Sequence, residues 1–314
     1  MAVKQSFMQT GAMLDVKRLQ VLLAIVEEGS VTAAAAALGY TPSAVSQQLL
    51  RLEREAGQPL LDRHARGMRP TDAGLVLATH ARKVVRQLAA AEADLQDIAG
   101  VRRGSVTLGT FPTVGSSFLP LAVRRYRELY PNITLTISSG REDHLVRMLE
   151  EGAVAMSFLW DYEWDRVSND ELVLTELFTD PTVLLVGASH RLARRRTVDI
   201  AALADEPWII RAGGHPVVEV LERSAVAAGF TPTIAFQAND YQEAQAMVSV
   251  GLGIALAPRT ATVNQHPDVR VISLGSSAPS RRVLVAHRAG RVRGAAELAL
   301  HDVLVETASS YPGR

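Results

Sequence analysis

The sequence predicts a multidomain protein of mixed α+β and α/β class, with a small helical head, a long connecting helix and a larger α/β body. Three observations lead there. The 314 residues exceed what one compact core usually supports. Residues 14 to 100 read almost wholly helical, interrupted only between Gly57 and Thr71. From Val106 onward, short β-branched runs alternate with helical segments, the pattern of a sheet covered by helices.

Composition narrows the class further. Thirty-three basic and thirty-three acidic residues cancel, and there is no cysteine, which removes disulfides, thiolate metal sites and cysteine nucleophiles together. No apolar run approaches the ~20 residues needed to span a bilayer. "MAVKQSFMQTGA" at the start lacks the apolar core of a signal peptide. The expectation is a cytoplasmic protein without membrane contact.

Asp15 is a good cap for a first helix, with Leu14 placed to staple onto Leu19. Leu19, Leu22, Leu23 and Val26 follow helical spacing until Gly29 stops them. A second helix runs from Ser30 through five consecutive alanines to Leu38, and Gly39 ends it. Thr41 then caps a third helix with Pro42 at its first position, where a missing N–H costs nothing. Val45, Leu49 and Leu52 form the inner stripe of that helix, while Ser43, Gln47, Arg51 and Arg54 lie on the opposite face. Alanines let helix two cross helix three at short range and hold the polar face outward. This is helix-turn-helix logic, in which the start of the recognition helix is aimed at base edges.

The neighbouring sequence agrees. "PLLDRHARGMRPT" reads as two short strands around a tip at Arg66 and Gly67, a wing carrying Arg63, Arg66 and Arg69. Between Pro42 and Arg86, eight arginines and lysines outnumber four acids within a neutral chain. A local excess of that kind is the footprint of phosphate contacts. Residues assigned to DNA are Thr41, Pro42, Ser43, Ser46, Gln47, Arg51, Arg54, Arg63, Arg66 and Arg69. Leu50 also points outward, where it either contacts a thymine methyl or lies against the wing. Thr71 caps the long helix, in which Leu77, Ala81, Val84, Leu88, Ala91, Leu95 and Ile98 recur at steps of four and three. That is a heptad seam, best covered by the same helix of a second copy.

At this point the chain resembles a LysR-type transcriptional regulator. The resemblance rests on "LQVLLAIVEEGSVTAAAAALGYTPSAVSQQLLRLEREAGQPLLDRHARGMRPTDAG" at residues 19 to 74, "SVTLGTFPTVGSSFLP" at 105 to 120 and "VSVGLGIALAP" at 248 to 258. It implies a winged helix-turn-helix, a linker helix that pairs in a homodimer, and a two-lobed effector domain built like a type II periplasmic binding protein, commonly assembled as tetramers. The implied partners are an operator duplex, a small-molecule effector, further copies of the chain and RNA polymerase; no cofactor or metal is implied. Residues 1–13 fall outside the pattern as an extension, so that Met13 is a candidate start. The expected divisions are 14–71 for DNA binding, 72–103 for the linker and 104–314 for the effector domain, with lobe I at 104–178 and 276–314 and lobe II at 179–275. Crossings between lobes are expected near Thr179 and Ser276.

In the body, "VTLGTF", "ITLTIS", "AVAMSFLW", "TVLLVGA", "PWIIRA", "TIAFQ" and "GIALAP" read as strands of a mostly parallel sheet. Ligands in such sheets sit beyond the carboxyl ends of strands. Thr110, Pro112, Thr113 and Val114 lie where the first strand gives way to a helix expected to begin around Thr113, a place that favours an anion. The resemblance carries Thr113 over as a first effector contact and adds Gly140, Arg141, Trp160, Arg211 and the segment from Asn239 to Tyr241. Arg211 and His215 would add positive charge, which makes a carboxylate-bearing metabolite the leading candidate. Enzyme signatures are missing: there is no G-x-S-x-G elbow and no P-loop, and "GLG" at 251 to 253 lacks the rest of a dinucleotide fingerprint. His144, His215 and His266 stand without partners at metal spacing.

Overall fold

The structure, a computed structural model, describes residues 14–64, 67–98, 104–212, 216–275 and 278–311. Contacts divide the chain into two units that meet in sequence between Leu95 and Gln96.

The first unit contains α1 (Val16–Glu28), α2 (Val31–Leu38), α3 (Pro42–Ala56), a hairpin of β1 (Leu61–His64) and β2 (Gly67–Pro70), and α4 (Asp72–Ile98). Local chemistry sets each boundary. Asp15 accepts from the Lys17 and Arg18 amides, Ser30 from Ala33 and Thr41 from Ala44. Gly29, Gly39 and Gly57 close their helices in the left-handed conformation. Leu19, Leu22 and Ile25 meet Val45, Leu49 and Leu52 in one core, where Ala34 and Ala35 provide the close approach. Leu14 lies exposed outside that core, so the expected staple onto Leu19 is not part of it.

Two glycines fasten the hairpin. Met68 N donates to Gly29 O at 2.8 Å, and a Cβ on Gly67 would come 2.5 Å from that same oxygen. A Cβ on Gly74 would sit 2.0 Å from Leu60 O, at the start of α4. The Thr71 hydroxyl accepts from Gly74 N at 3.0 Å as expected of a cap, and it also donates to Pro59 O.

The heptad seam on α4 needs correction at its start. Ala81 is fully buried and Leu77 half-buried, both against the first unit's own core, because the opening turns of α4 close that core. Val84, Leu88, Ala91 and Leu95 remain exposed in the single chain. The side chain of Ile98 lies outside the description.

In the second unit follow β3 (Ser105–Thr110), α5 (Pro112–Gly115), α6 (Leu119–Leu129), β4 (Thr134–Ser139), α7 (Glu142–Glu150), β5 (Met156–Asp161) and β6 (Leu172–Gly187). Next come β7 (Pro207–Arg211), α8 (Pro216–Ala228), β8 (Thr233–Ala238), α9 (Tyr241–Ser249), β9 (Ile254–Pro258), β10 (Val269–Ser273), β11 (Ser280–Arg288) and α10 (Ala295–Ser309). Strands run in the order β4-β3-β5-β11-β6-β9-β7-β8, and β10 also pairs β6.

A mostly parallel sheet was expected, and the structure is mixed. Pairing is parallel in the outer parts, β4-β3-β5 and β9-β7-β8, but β11 runs antiparallel to both β5 and β6, and β6 antiparallel to β9 and β10. The cause is β6, which begins ten residues before "TVLLVGA". Its first part, Leu172–Pro181, pairs β11; from Thr182 onward it pairs β9 and β10. One long strand thus serves both lobes, changing partners at Pro181/Thr182. Ser276, the other expected crossing, lies outside the described residues.

Candidate nucleic-acid interface and ligand cleft

On α3 the inner stripe is buried and the outer face is open. Ser43, Gln47, Arg51 and Arg54 are exposed, with Thr41 and Pro42 exposed at the helix start and Ser46 half-buried at the edge of this face. Thr41 Oγ1 lies 3.0 Å from Ser43 Oγ, so the cap and the first outward residue are coupled. Half-buried Arg18 pairs with Glu55 at 2.7 Å and ties α1 to the far end of α3, which fixes the angle at which the open face is presented. Arg69 is exposed on β2. Of Arg63 only the backbone is described, in β1, and Arg66 at the tip lies outside the described residues.

In the second unit, Thr110, Ser139 and Asp161 end β3, β4 and β5, while Arg211, Ala238 and Pro258 end β7, β8 and β9. The assigned cleft residues fall at or just beyond these carboxyl ends. One expectation fails here: α5 starts at Pro112 with Phe111 as an unassisted cap, and it is four residues long. So short a helix has little dipole to offer an anion. Pro112 is exposed, Val114 is core and Thr110 is buried with its hydroxyl on Phe111 O.

The Thr113 hydroxyl does something the sequence did not reveal. It accepts from Arg281 Nη2 at 2.7 Å, and that nitrogen also donates to Thr260 Oγ1 at 3.0 Å and to Asp180 Oδ2 at 2.9 Å. Asp180 receives Arg281 Nε at 3.0 Å, the Thr260 hydroxyl at 2.7 Å and the Thr260 amide at 3.1 Å. All four residues are buried. Burial works against the Arg281 charge, but Asp180 and the Tyr162 and Tyr241 hydroxyls oppose it, and its pKa ends above the usual value. Phe111 and Trp160 pack under the same guanidinium, 5.1 and 5.9 Å from ring centroid to Cζ, and meet edge-on at 4.4 Å. Asp180 lies in β6 where it changes partners, Arg281 at the start of β11, Thr113 on α5 and Thr260 just after β9. One neutral ion pair thus joins β6 and β11 to α5 and to the turn after β9. Its sequence signal was a charge inside each of two apolar strands, "FTDPTVLLV" and "SRRVLVA", costly unless paired.

Arg211 is arranged differently. Its guanidinium stacks over Tyr241 at 5.1 Å, and its Nε and Nη1 are buried with no hydrogen-bond partner among the described residues. Burial lowers its pKa; Tyr241, Asp240 and Glu243 counter that, and the Arg141 charge adds to the lowering. The two nearby acids are occupied: Asp240 accepts from Glu243 N at 2.8 Å to cap α9, and Glu243 accepts from Asn239 N at 2.5 Å. Asn239 and Arg141 are exposed, and burial raises the Tyr241 pKa. Gly140 N donates to Thr110 O, and a Cβ at Gly140 would touch the ring of His144, which is itself exposed. His266 sits in a turn, accepting from Asp268 N at Nδ1. His215 lies outside the described residues. The structure therefore brings Thr113 and Trp160 together around Arg281, and Arg141 and Tyr241 around Arg211.

Among the described residues there is no group of His, Asp or Glu fit to hold a metal, and no helix long and apolar enough to cross a membrane. Comparison with known proteins agrees with this architecture. Residues 16–75 match the bacterial regulatory helix-turn-helix protein, lysR family, and residues 99–309 match the LysR substrate binding domain. The transcriptional dual regulator GltC of Bacillus subtilis is 24% identical over 82% of this chain and 85% of its own. A probable hydrogen peroxide-inducible genes activator of Mycobacterium leprae is 27% identical over 93% and 94%. Among solved structures, CbnR, a LysR family transcriptional regulator, shares the fold with a TM-score of 0.62 at 19% identity, covering 94% of this chain and 99% of its own. CbnR complexed with its target DNA gives 0.61 at 19% identity, over 94% and 100%. With both matches in sequence order, covering the head and the whole α/β body, the chain belongs to the LysR family of DNA-binding transcriptional regulators with an effector-binding domain.

Proposed function

We propose that this regulator reads its operator as a homodimer or a tetramer, in the cytoplasm where DNA and RNA polymerase are within reach, and that a small organic anion in the cleft of the second unit modulates the response. The observation that carries the anion is Arg211. A guanidinium with two buried nitrogens that have no partner among the described residues lacks counter-charge and acceptors, and a carboxylate supplies both. Arg141 adds a second positive charge near it, and the neighbouring acids are already engaged.

Thr113 contributes in a more restricted way than a free hydroxyl would. Because its oxygen already accepts from Arg281, it has its proton and one remaining lone pair to offer a ligand. Asp180 and Arg281 neutralise each other and add no net charge to the cleft. The same mutual engagement leaves no activated nucleophile or base among these residues, which supports a binding role over catalysis.

Thermal-shift screening of mono- and dicarboxylic acids against wild type and Arg211→Gln tests the reading. Acids that stabilise wild type should lose most of their shift in the variant. Hits confined to neutral or cationic compounds, or equal shifts in both proteins, would contradict the anion site.

A further inference from the structure

On the outward face of α3 sits a side chain that neither hydration nor packing explains. Leu50 is 58% exposed on a helix whose other outward residues, beyond Pro42 at its start, are polar or basic. It is absent from the hydrophobic residues that pack on the head's core, which include Met68 of the hairpin. The head's core therefore does not claim it. At 3.6 residues per turn, Leu50 stands about 60° from Gln47 around the helix and Arg51 about 40° to the other side, whereas buried Leu49 is about 160° away. Leu50 thus shares the sector of the residues aimed at base edges. Arg54 Nε donates to Leu50 O at 3.3 Å, which brings a second guanidinium alongside it. An apolar side chain flanked by two arginines and a glutamine suits a surface that is anionic at its rim and offers methyl groups within. The major groove is such a surface: phosphates line it, and thymine is the base that presents a methyl there.

We infer that Leu50 is a specificity residue that packs on the 5-methyl group of one thymine in each operator half-site, next to the base read by Gln47. The inference rests on the outward face of α3 entering the major groove. It assigns this chain a sequence preference that a basic side chain at the same position would not produce.

Uracil substitution tests it, since it deletes the methyl and leaves every hydrogen-bonding edge intact. The operator is first enriched from a random duplex library with the full-length protein, and each thymine is then replaced by uracil in turn. Wild type should lose about four-fold affinity per half-site at one thymine position, the change that burial of one carbon at roughly 0.8 kcal/mol gives. Leu50→Ala should bind the thymine operator more weakly by a similar factor and be indifferent to uracil, while Leu50→Met should keep the sensitivity. Because Leu50 is exposed, both variants should melt as wild type does. A wild-type scan flat at every thymine, or an Ala variant as uracil-sensitive as wild type, overturns the assignment. If Gln47→Ala still relaxes operator preference while the scan is flat, only Leu50 was misassigned; if no sequence is enriched at all, the groove reading itself fails.

Discussion

Arg281 and Asp180 each lose their hydration inside the second unit, and their contact with each other and with the Thr113 and Thr260 hydroxyls offsets that loss. Removing one partner should therefore cost far more than removing both. Arg281→Met leaves a buried carboxylate and should destabilise the second unit by about 3–5 kcal/mol, on the order of 10 °C in its melting midpoint for a unit of this size. Arg281→Met with Asp180→Asn should recover much of it. Calorimetry of the three proteins checks this; equal midpoints for wild type and Arg281→Met would show that the pair is not coupled as the distances imply. At this scale sequence was a partial guide. Thr113 drew notice by its place just after the first strand, but its partner stands 168 positions away, and no local pattern announces a pairing at that separation. Arg211 was legible for its charge, and only the folded chain shows that two of its nitrogens lack acceptors among the described residues.

Elements held by local chemistry were the ones best read in advance. Helices α1 to α3 begin at Asp15, Ser30 and Thr41 and end at glycines because capping is decided within four residues. The first part of β6 and the whole of β11 were missed, since their pairing with each other is antiparallel, long-range and interleaved with polar residues such as Thr175, Glu176 and Asp180. Helix α4 lies between these cases. Its apolar period was visible, yet the period alone did not say that Leu77 and Ala81 would be taken by the head's own core. Val84 and Leu88, 42% and 44% exposed, and Leu95, 65% exposed, are what is left for a second copy. Aspartates at both Val84 and Leu88 cost little in one chain but would each bury an unpaired charge in a helix-helix seam, at several kcal/mol. Sedimentation of the double variant should show the dimer lost at micromolar concentration. An unchanged mass would mean that assembly does not use this face.

Across the whole molecule, the chain divides between Leu95 and Gln96, ahead of the change of pattern at Val106, and each part's core is built from its own stretch of chain. The sheet's mixed direction was not recoverable from the same pattern, since parallel and antiparallel strands buried on both faces carry the same apolar runs. The functional account rests on one physical division of labour. We propose that the head reads bases through the open face of α3, that its arginines hold phosphates regardless of sequence, and that the second unit senses a ligand. The most direct measurement is the affinity of full-length wild type and Gln47→Ala for the enriched operator and for random duplex at one fixed salt concentration. If α3 reads bases, the variant should lose about 1–3 kcal/mol of preference for the operator while its affinity for random duplex barely changes; equal losses on both duplexes would contradict the account.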